Sequence, residues 1–357
     1  MPRQRQAVTI KHVAADAGVS LQTVSRVINK EPNVRPRMKE RVQASIEKLG
    51  YVPSLAAQRM SGSKSYLILA LNDRERTVAS WRAREGNDWV DQMMLGGMLT
   101  CAQHGYRMII ELVDTHNDHI EGELKKALTS LGPDGIILTP PHSDNPKIVD
   151  FLGKAGLPFA RLGSQVTGPG IAISMDDAGS ARKATQHLID KGHRRIGFIA
   201  GPEEYQLSGW RLDGWRETME EAGLSCEGLM ARGDFGEASG EEAAKHLLAG
   251  AVRPTAIIAS SDQMTLGAMS VAQQMGLKVP DDLSLISFDN SPLVRFARPA
   301  LTAIDQPIAQ TVSLAVETII ARNKGEAIDT GPLTIEGKLI ERGSVARPAA
   351  EIDPAAG

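Results

Sequence analysis

The sequence predicts an all-α helix-turn-helix headpiece followed by an α/β body of doubly wound parallel sheets. Near the start of the chain, apolar side chains recur at helical spacing in two short stretches separated by Gly18. From Tyr66 onward, short apolar runs alternate with helical patterns, which is typical of parallel strands buried on both faces. The body spans about 280 residues, too many for one such sheet, so we expect two lobes.

The headpiece is predicted from its caps and its turn. Thr9 is a good N-cap for a first helix, and Gly18 ends that helix because glycine adopts positive φ without strain. Ser20 caps a second helix, and a third helix over residues 36–49 opens with a proline in its first turn. Two helices around a tight turn, braced by a third, form a helix-turn-helix domain.

The body is predicted from its alternation of patterns. Strands are expected at 67–71, 108–112, 135–138, 159–162, 196–200, 256–259 and 285–288. Helices are expected at 93–104, 121–131, 178–191, 211–222, 240–249, 264–275 and 307–323.

Charge is distributed unevenly along the chain. Residues 1–64 hold 12 Lys and Arg against 4 Asp and Glu, a net charge of +8, so the rest of a chain that totals −3 carries −11. A basic head on an acidic body is typical of a nucleic-acid-binding module joined to a domain that need not touch nucleic acid. On charge alone, the reading that these are only solvated faces stays open.

Composition excludes several classes of protein. Apolar residues make up 42% of the 357, enough for a core, which excludes a disordered chain. Two cysteines, Cys101 and Cys226, are too few for a disulfide framework or a cysteine zinc site and fit a reducing compartment. The sequence has no apolar run of 18 residues, and its first ten residues lack the apolar stretch of a signal peptide. We therefore predict a cytoplasmic protein without a membrane partner.

The sequence favours binding over catalysis. It has no Gly-x-Gly-x-x-Gly after a strand, no phosphate-cradling loop ending in Lys-Ser/Thr, and no Gly-x-Ser-x-Gly elbow. His116 and His119 have passable metal spacing, but they lie in a polar stretch that we interpret as a solvated turn. We therefore predict that the protein is not an enzyme and has no cofactor and no metal site.

Motifs along most of the chain resemble those of one family. The stretch VTIKHVAADAGVSLQTVSRVIN, from Val8 to Asn29, is similar to the headpiece of the lactose-repressor family of bacterial transcription factors. The similarity continues in GYVP at 50–53, GHRRIG at 192–197 and RLDGW at 211–215. It spans roughly residues 8–345, and the order of the motifs is specific to the family.

The resemblance implies a headpiece, a hinge helix with a linker, and a two-lobed effector domain similar to periplasmic sugar-binding proteins. In the family the chain crosses between the lobes three times, here near residues 174, 306 and 334. The implied segments are the headpiece 1–52, the hinge 53–64, the N-terminal lobe 65–174 and 307–333, and the C-terminal lobe 175–306 and 334–345. The composition of residues 346–357 predicts a disordered tail.

The resemblance also implies a function. Members dimerise and bind double-stranded, pseudo-palindromic operator DNA, and a small molecule between the lobes weakens that binding. We predict a repressor of sugar or glycoside catabolic genes that a mono- or disaccharide releases. A corepressor such as a nucleobase, or a phosphoprotein partner, stays open as an alternative. A sugar-binding transport protein would need an export signal and no basic head.

The second helix carries the predicted base contacts. Leu21 and Gln22 begin it, where a recognition helix offers side chains to base edges. Gln pairs bidentately with adenine, Leu makes only apolar contact, and Arg26 reaches guanine or phosphate. By family position the phosphate contacts are Thr9, Ser20, Thr23, Ser25, Asn29 and Tyr51. For Thr9 and Ser20 helix capping is the alternative, and the two roles are compatible because a helix N-terminus attracts phosphate.

The hinge contributes Ser54, Ala57 and Met60 to the predicted DNA-binding residues. A helix over residues 54–60 is too short to hold alone, since isolated helices need about 12–15 residues. In the family, position 60 is commonly a leucine wedged into the central minor-groove step, and methionine has similar bulk. The alternative is that Met60 only packs the paired hinge helices.

Two residues are the main candidates for effector binding. Arg211 and Asp289 stand where sugar-binding members place an arginine and an acid that clamp ligand hydroxyls. Asp289 follows an apolar strand at its carboxyl end, where open α/β sheets bind ligands. For Arg211 a structural ion pair is the alternative.

Four further residues are weaker candidates. Ser261 stands where some members have an asparagine that touches ligand, whereas the next residue, Asp262, is predicted to cap the following helix. Arg161, at the end of a strand, binds ligand or forms a salt bridge across the cleft. Asn72 and Trp89 bracket a charged segment that is longer than usual here. Trp89 either stacks on a sugar or is buried at the rim.

The C-terminal composition predicts the oligomeric state. Family tetramers use an extra C-terminal helix with an apolar heptad seam. Residues 346–357 hold two prolines and one large aliphatic residue, Ile352, so no coiled coil can form there. We therefore predict a homodimer.

Overall fold

The structure, a computed structural model, describes residues 8–28, 31–51, 64–84, 86, 88–114, 119–251, 253–327 and 331–348. The chain divides into two compact units, Met1–Tyr66 and Leu67–Gly357. Several predicted features lie outside the described residues, namely Asn29, Ser54, Ala57, Met60 and positions 349–357 of the tail.

The headpiece consists of helices α1 (Ile10–Ala17), α2 (Leu21–Ile28) and α3 (Pro36–Leu49). Thr9 and Ser20 stand at the starts of α1 and α2, as predicted, and each takes part in a capping hydrogen bond. The backbone N–H of Thr9 donates to Nδ1 of His12 at 3.0 Å, and Oγ of Ser20 accepts from the backbone N–H of Thr23 at 3.1 Å.

A small core holds the headpiece together. Val13, Val24 and Val42, one from each helix, have no exposed surface. Gly18 takes φ of 60° at the turn between α1 and α2, in the left-handed region that favours glycine. This packing fixes one face of α2 and leaves the opposite face to solvent.

Within the described residues, the second unit contains two six-stranded sheets. The first, in spatial order, comprises β11 (Leu333–Ile335), β5 (Ile171–Met175), β4 (Phe159–Leu162), β3 (Gly135–Leu138), β1 (Leu67–Asp73) and β2 (Arg107–Val113). The second comprises β12 (Lys338–Ile340), β10 (Thr302–Asp305), β9 (Ser284–Asp289), β8 (Ala256–Ala259), β6 (Ile196–Ala200) and β7 (Met230–Arg232). All neighbouring strands are parallel except β12, which runs antiparallel to β10.

Helices cover both sheets. The N-terminal lobe, built on the first sheet, carries α4 (Arg74–Ala83), α5 (Asp88–Gln103), α6 (Ile120–Leu131), α7 (Pro146–Ala155) and α13 (Ile308–Asn323). The C-terminal lobe, built on the second, carries α8 (Asp177–Asp190), α9 (Gln206–Glu221), α10 (Glu237–Ala249), α11 (Asp262–Gln274) and α12 (Pro292–Phe296). Of the described helices, none combines the length and apolar character needed to cross a bilayer.

The chain passes between the lobes three times. It leaves the first sheet after β5, leaves the second after β10, and returns to the second between β11 and β12. These positions lie close to residues 174, 306 and 334, where the resemblance places them. The second passage carries α13 back onto the N-terminal lobe, where it packs against α5. Gly96 permits this close approach, because a Cβ there would lie 2.0 Å from the carbonyl oxygen of Ala309.

The seven predicted strands are all present, and four match to the residue. The predicted helices are also present, most of them with a start a few residues earlier than expected. Strands β5, β7, β10, β11 and β12 and helices α4, α7 and α12 are present in the structure but were not predicted from the sequence. The most consequential omission is α4, because this helix lines the cleft between the lobes.

Candidate functional site

The exposed face of α2 is the candidate DNA-reading surface. Leu21 is 45% exposed, and Gln22 and Arg26 are also exposed. Nε of Arg26 lies 3.6 Å from a carboxylate oxygen of Glu31 in a solvent-exposed ion pair. Such pairs contribute little free energy, so Arg26 is free to exchange this partner for phosphate or guanine.

The predicted phosphate-contacting residues differ in their surroundings. Thr9 and Ser20 are exposed at the starts of α1 and α2, while Thr23 and Ser25 are half-buried. The hydroxyl of Ser20 lies 2.9 Å from that of Thr23, so capping uses this group in the absence of DNA. Tyr51 is buried in the headpiece core, and burial raises the pKa of its hydroxyl. Its phosphate contact stays a prediction.

A cavity of about 750 Å³ opens between the N-terminal and C-terminal lobes. Residues from both lobes line it. Of the predicted effector residues, those at the cavity wall are Asn72, Trp89, Arg211, Ser261 and Asp289. Arg161 is not at this wall.

Asp289 ends β9 at the floor of the cleft. Its φ of 95° and the φ of 62° at Asn290 are both positive, a strained arrangement for residues other than glycine. Its Oδ1 accepts from Nε2 of Gln306 at 3.3 Å. Burial raises the pKa of the Asp289 carboxyl, and the Arg211 guanidinium opposes that rise.

Arg211 is both a cleft residue and a member of a buried ion pair. Its Nε donates to Oδ1 of Asp177 at 2.8 Å, and its Nη1 donates to the carbonyl of Ser260 at 2.7 Å. Its guanidinium carbon lies 4.6 Å from the centroid of the Phe288 ring. The structural alternative is therefore confirmed. Nη2 has no hydrogen-bond partner among the described residues and is the group left to meet a ligand.

Ser261, and not Asp262, holds the capping role at the start of α11. Ser261 caps α11, since its Oγ accepts from the backbone N–H of Met264 at 3.1 Å and donates to the carbonyl of Phe235 at 2.8 Å. Asp262 instead accepts from the hydroxyl of Ser287 at 2.6 Å and from the backbone N–H of Ser291 at 2.5 Å. The predicted capping role of Asp262 is wrong.

The remaining candidates divide between the cleft and the protein interior. Nδ2 of Asn72 donates to the hydroxyl of Thr77 at 2.7 Å, so this cleft residue positions the start of α4. Trp89 is half-buried in the first turn of α5. Arg161 is only 3% exposed, and its Nη1 donates to Oδ1 of Asp144 at 2.6 Å. Arg161 therefore belongs to the interior of the N-terminal lobe and not to the wall of the cleft.

Further cleft residues, which lie far apart in the chain, were not predicted from the sequence. Arg76 and Asp88 come from the long charged segment, and Tyr205 and Phe235 come from loops of the C-terminal lobe. The unusual length of the segment was a signal for the first two. For the aromatic residues, no sequence pattern indicated that they meet.

Asp88 and Asp289 place carboxylates from opposite lobes at one cavity. Burial, followed by the negative charge of Asp289, raises the pKa of Asp88 to about 6. Burial and Asp289 also raise the pKa of Asp262 to about 7. The repulsion among the carboxylates of Asp88, Asp262 and Asp289 therefore grows as the pH rises, and a ligand that donates hydrogen bonds to them would relieve it.

We expect Asp88→Asn to stabilise the protein at pH 7.5 but not at pH 4. The folded carboxyl holds its proton to a higher pH than the unfolded one, so its contribution to stability falls as the pH rises from about 4 to about 6. The gain should be on the order of 1 kcal/mol, discounted because Asp88 is only half-buried. Urea unfolding at both pH values measures it, with Asp150→Asn, an exposed carboxylate on α7, as the control. An equal gain in the free energy of unfolding at both pH values would contradict the interpretation that the Asp88 carboxylate is destabilised by burial and by Asp289.

Comparisons with known proteins match both units of the chain. Residues 9–54 match the description of bacterial regulatory proteins of the lacI family, and residues 185–345 match a periplasmic binding protein-like domain. The HTH-type transcriptional regulator CelR of Thermobifida fusca is 33% identical over 349 residues, which cover 96% of this chain and 99% of CelR. The HTH-type transcriptional repressor CytR of Escherichia coli is 31% identical over 96% of this chain and 97% of its own.

Two solved structures share the fold over nearly the whole chain. A complex of the transcriptional regulator CelR with cellobiose has a TM-score of 0.70 and 30% identity, and covers 94% of this chain and 99% of the other. The lac repressor dimer bound to operator and the anti-inducer ONPF has a TM-score of 0.76 and 25% identity, and covers 96% and 100%.

A helix-turn-helix headpiece joined to a two-lobed binding domain defines a DNA-binding transcriptional regulator whose second domain holds a small molecule. The identity to CelR and CytR along the whole chain makes the assignment specific. The protein belongs to the lacI family of bacterial regulatory proteins.

Proposed function

We propose that this protein is a cytoplasmic repressor that binds a pseudo-palindromic operator as a homodimer and is released from it by a small saccharide. The proposal assigns binding and not catalysis to the cleft. The observation that carries it is the pairing, in one chain, of an exposed recognition helix with a cleft whose floor is Asp289 and Arg211.

The chemistry of the cleft supports a saccharide. A carboxylate accepts hydrogen bonds from neighbouring hydroxyls, and the free Nη2 of Arg211 donates to a ligand oxygen. The ring of Trp89, which is half-buried, lines the same cavity and provides a flat apolar surface for one face of a sugar. A volume of about 750 Å³ accommodates a mono- or disaccharide. The relative CelR has been crystallised with cellobiose.

The effector acts through the arrangement of the lobes. A ligand shifts a conformational equilibrium only by its difference in affinity for the two states, which is typically 1–3 kcal/mol in allosteric proteins. We propose that the saccharide favours the lobe arrangement that separates the two hinges of the dimer, so that the headpieces no longer engage both half-sites.

The experiment that tests the function has two steps. Selection of DNA from a random pool by the full chain identifies the operator, and gel shifts then follow binding against cellobiose, ribose, cytidine and adenine. Release by a sugar supports the proposal. Tighter binding with a nucleobase identifies a corepressor instead, and no response to any probe would leave the phosphoprotein alternative as the better account.

Exposed apolar side chains support the dimer. On the N-terminal lobe Leu95, Met98 and Leu99 of α5 are 50–57% exposed, and on the C-terminal lobe Phe296 of α12 is 77% exposed. Exposed apolar patches of this kind mark protein interfaces. We propose that a second copy of the chain covers them.

We expect Phe296→Asp and Leu99→Asp each to shift the protein from dimer to monomer, because a charge would be buried at the interface. Light scattering should change from about 77 kDa, twice the chain mass of 38.4 kDa, towards the mass of one chain. Operator affinity should fall by about 10²–10⁴, since the second headpiece loses its effective concentration. Val166→Asp, at an exposed position of similar character, is the control and should stay dimeric. A stable dimer in both interface variants would contradict the assignment.

A further inference from the structure

Helix α4 is anchored to the N-terminal lobe. Asp73 caps it, with Oδ1 accepting from the backbone N–H of Arg76 at 2.6 Å. Arg74 donates through Nη2 to Oε2 of Glu123 and to the carbonyl of Leu112, both at 2.9 Å. These contacts tie the first turn of α4 to α6 and β2, so the helix moves with its own lobe.

From this anchored helix, the side chain of Arg76 reaches the opposite lobe. Its Nη1 donates to the carbonyl of Asp234 at 2.7 Å, and its guanidinium carbon lies 4.7 Å from the centroid of the Phe235 ring. The centroid of the Tyr205 ring lies 5.7 Å away. Asp234 and Phe235 follow β7 of the C-terminal lobe, so one side chain makes a polar contact and a cation–π contact across the cleft.

The aromatic surface that Arg76 contacts, made of the Tyr205 and Phe235 rings, is rigid. The Tyr205 and Phe235 rings meet edge to face at 5.4 Å and are buried to 7% and 8% exposure. Phe235 has a positive φ of 72°. Its loop is held where the backbone N–H of Asp234 donates to Oγ of Ser239 at 2.9 Å. Because this surface is already formed, it loses little freedom when the guanidinium of Arg76 binds to it.

We propose that Arg76 is a positioning residue that bridges the two lobes without ligand, and that α4 forms a fixed wall of the cleft. The cavity stays about 750 Å³ with the bridge in place, so a ligand can enter without breaking it. The bridge favours the lobe spacing seen here and limits the cleft to ligands that fit beside α4. This inference rests on the proposed effector function only for its effect on ligand binding.

Hydrogen exchange measured by mass spectrometry on the full chain, without DNA or sugar, tests the bridge. In Arg76→Ala the amides of residues 234–239, in the other lobe, should exchange about 2- to 30-fold faster than in the parent. Arg82→Ala, an exposed arginine on the same helix, is the control and should leave that segment unchanged. Arg76→Lys keeps the charge without the planar group and should give an intermediate rate.

A second variant, on the C-terminal lobe side of the Arg76 contact, shows whether the effect on hydrogen exchange crosses between the lobes. Phe235→Leu should speed exchange in α4, which belongs to the other lobe, while α8, whose buried residues belong to a different core cluster of the C-terminal lobe from Phe235, reports that this lobe is intact. Unchanged exchange at 234–239 in Arg76→Ala would overturn the proposal, as would a change confined to α4. Because these measurements contain no effector, they stand even if cellobiose and the other probes fail to bind. Conversely, if an effector is confirmed but hydrogen exchange at residues 234–239 is unchanged in Arg76→Ala, only the bridge is refuted and the proposed effector function stands.

Discussion

Replacement of Asp289 by alanine should abolish the response of operator binding to effector while leaving operator affinity without effector within about twofold. The carboxylate is the predicted acceptor for ligand hydroxyls, so its loss removes the 5- to 150-fold shift that allosteric coupling typically provides. The headpiece belongs to a different compact unit and keeps its own core. Gel shifts with and without the sugar found in the screen measure both quantities.

The fold should tolerate this change. Burial raises the pKa of Asp289, and its charge also raises the pKa of Asp88 and Asp262, so removing it relieves repulsion. Asp289→Asn, which suits the left-handed backbone better than alanine, separates the loss of charge from backbone strain. Asp213→Ala, an exposed carboxylate on α9, is the control. A normal dose response in both Asp289 variants would show that the ligand binds elsewhere.

Operator binding should weaken steeply with salt. Each phosphate neutralised by the basic headpiece contributes a slope of about −0.9 in log–log terms. A dimer that makes on the order of 6–10 such contacts should lose about 10³–10⁵ in affinity between 50 and 200 mM salt. Fluorescence anisotropy with labelled operator measures the slope.

The same change in salt should leave the effector site nearly unaffected, because the ligand proposed for that cleft is a neutral sugar. Thermal shifts with the sugar at both salt concentrations provide this comparison. An operator slope shallower than about −3 would mean that the headpiece makes few phosphate contacts, against the charge distribution on which the prediction rests.

The sequence predicted the elements whose signals are local. The caps at Thr9 and Ser20, the turn at Gly18 and the apolar strands are each decided by residues within a few positions of one another. Helix α4 was missed because it is polar on nearly all sides and lacks an apolar stripe. Helix α7 did carry a signal, since Asn145 and Pro146 are a favourable N-cap and first residue.

The cleft was predictable only in part. Asp289 was indicated by its place at the end of an apolar strand, but its approach to Asp88 depends on how two lobes face each other. Arg76 and Phe235 are separated by more than 150 positions, and their contact is a tertiary property that no local spacing encodes. Ser261 and Asp262 are both good capping residues, and only side-chain geometry decides between them.

The three passages between the lobes set the order in which this protein can be completed during synthesis. The headpiece has its helices by Leu49 and can fold while the rest is still being made. The N-terminal lobe lacks α13 until residue 323 has been made and β11 until residue 335, and the C-terminal lobe lacks β12 until residue 340. Before α13 is made, α5 has no helix against Gly96, and before β11 and β12 are made, β5 and β10 keep open edges. The nascent chain therefore exposes a finished DNA-binding domain beside two unfinished lobes, which makes the effector domain the part most in need of chaperones.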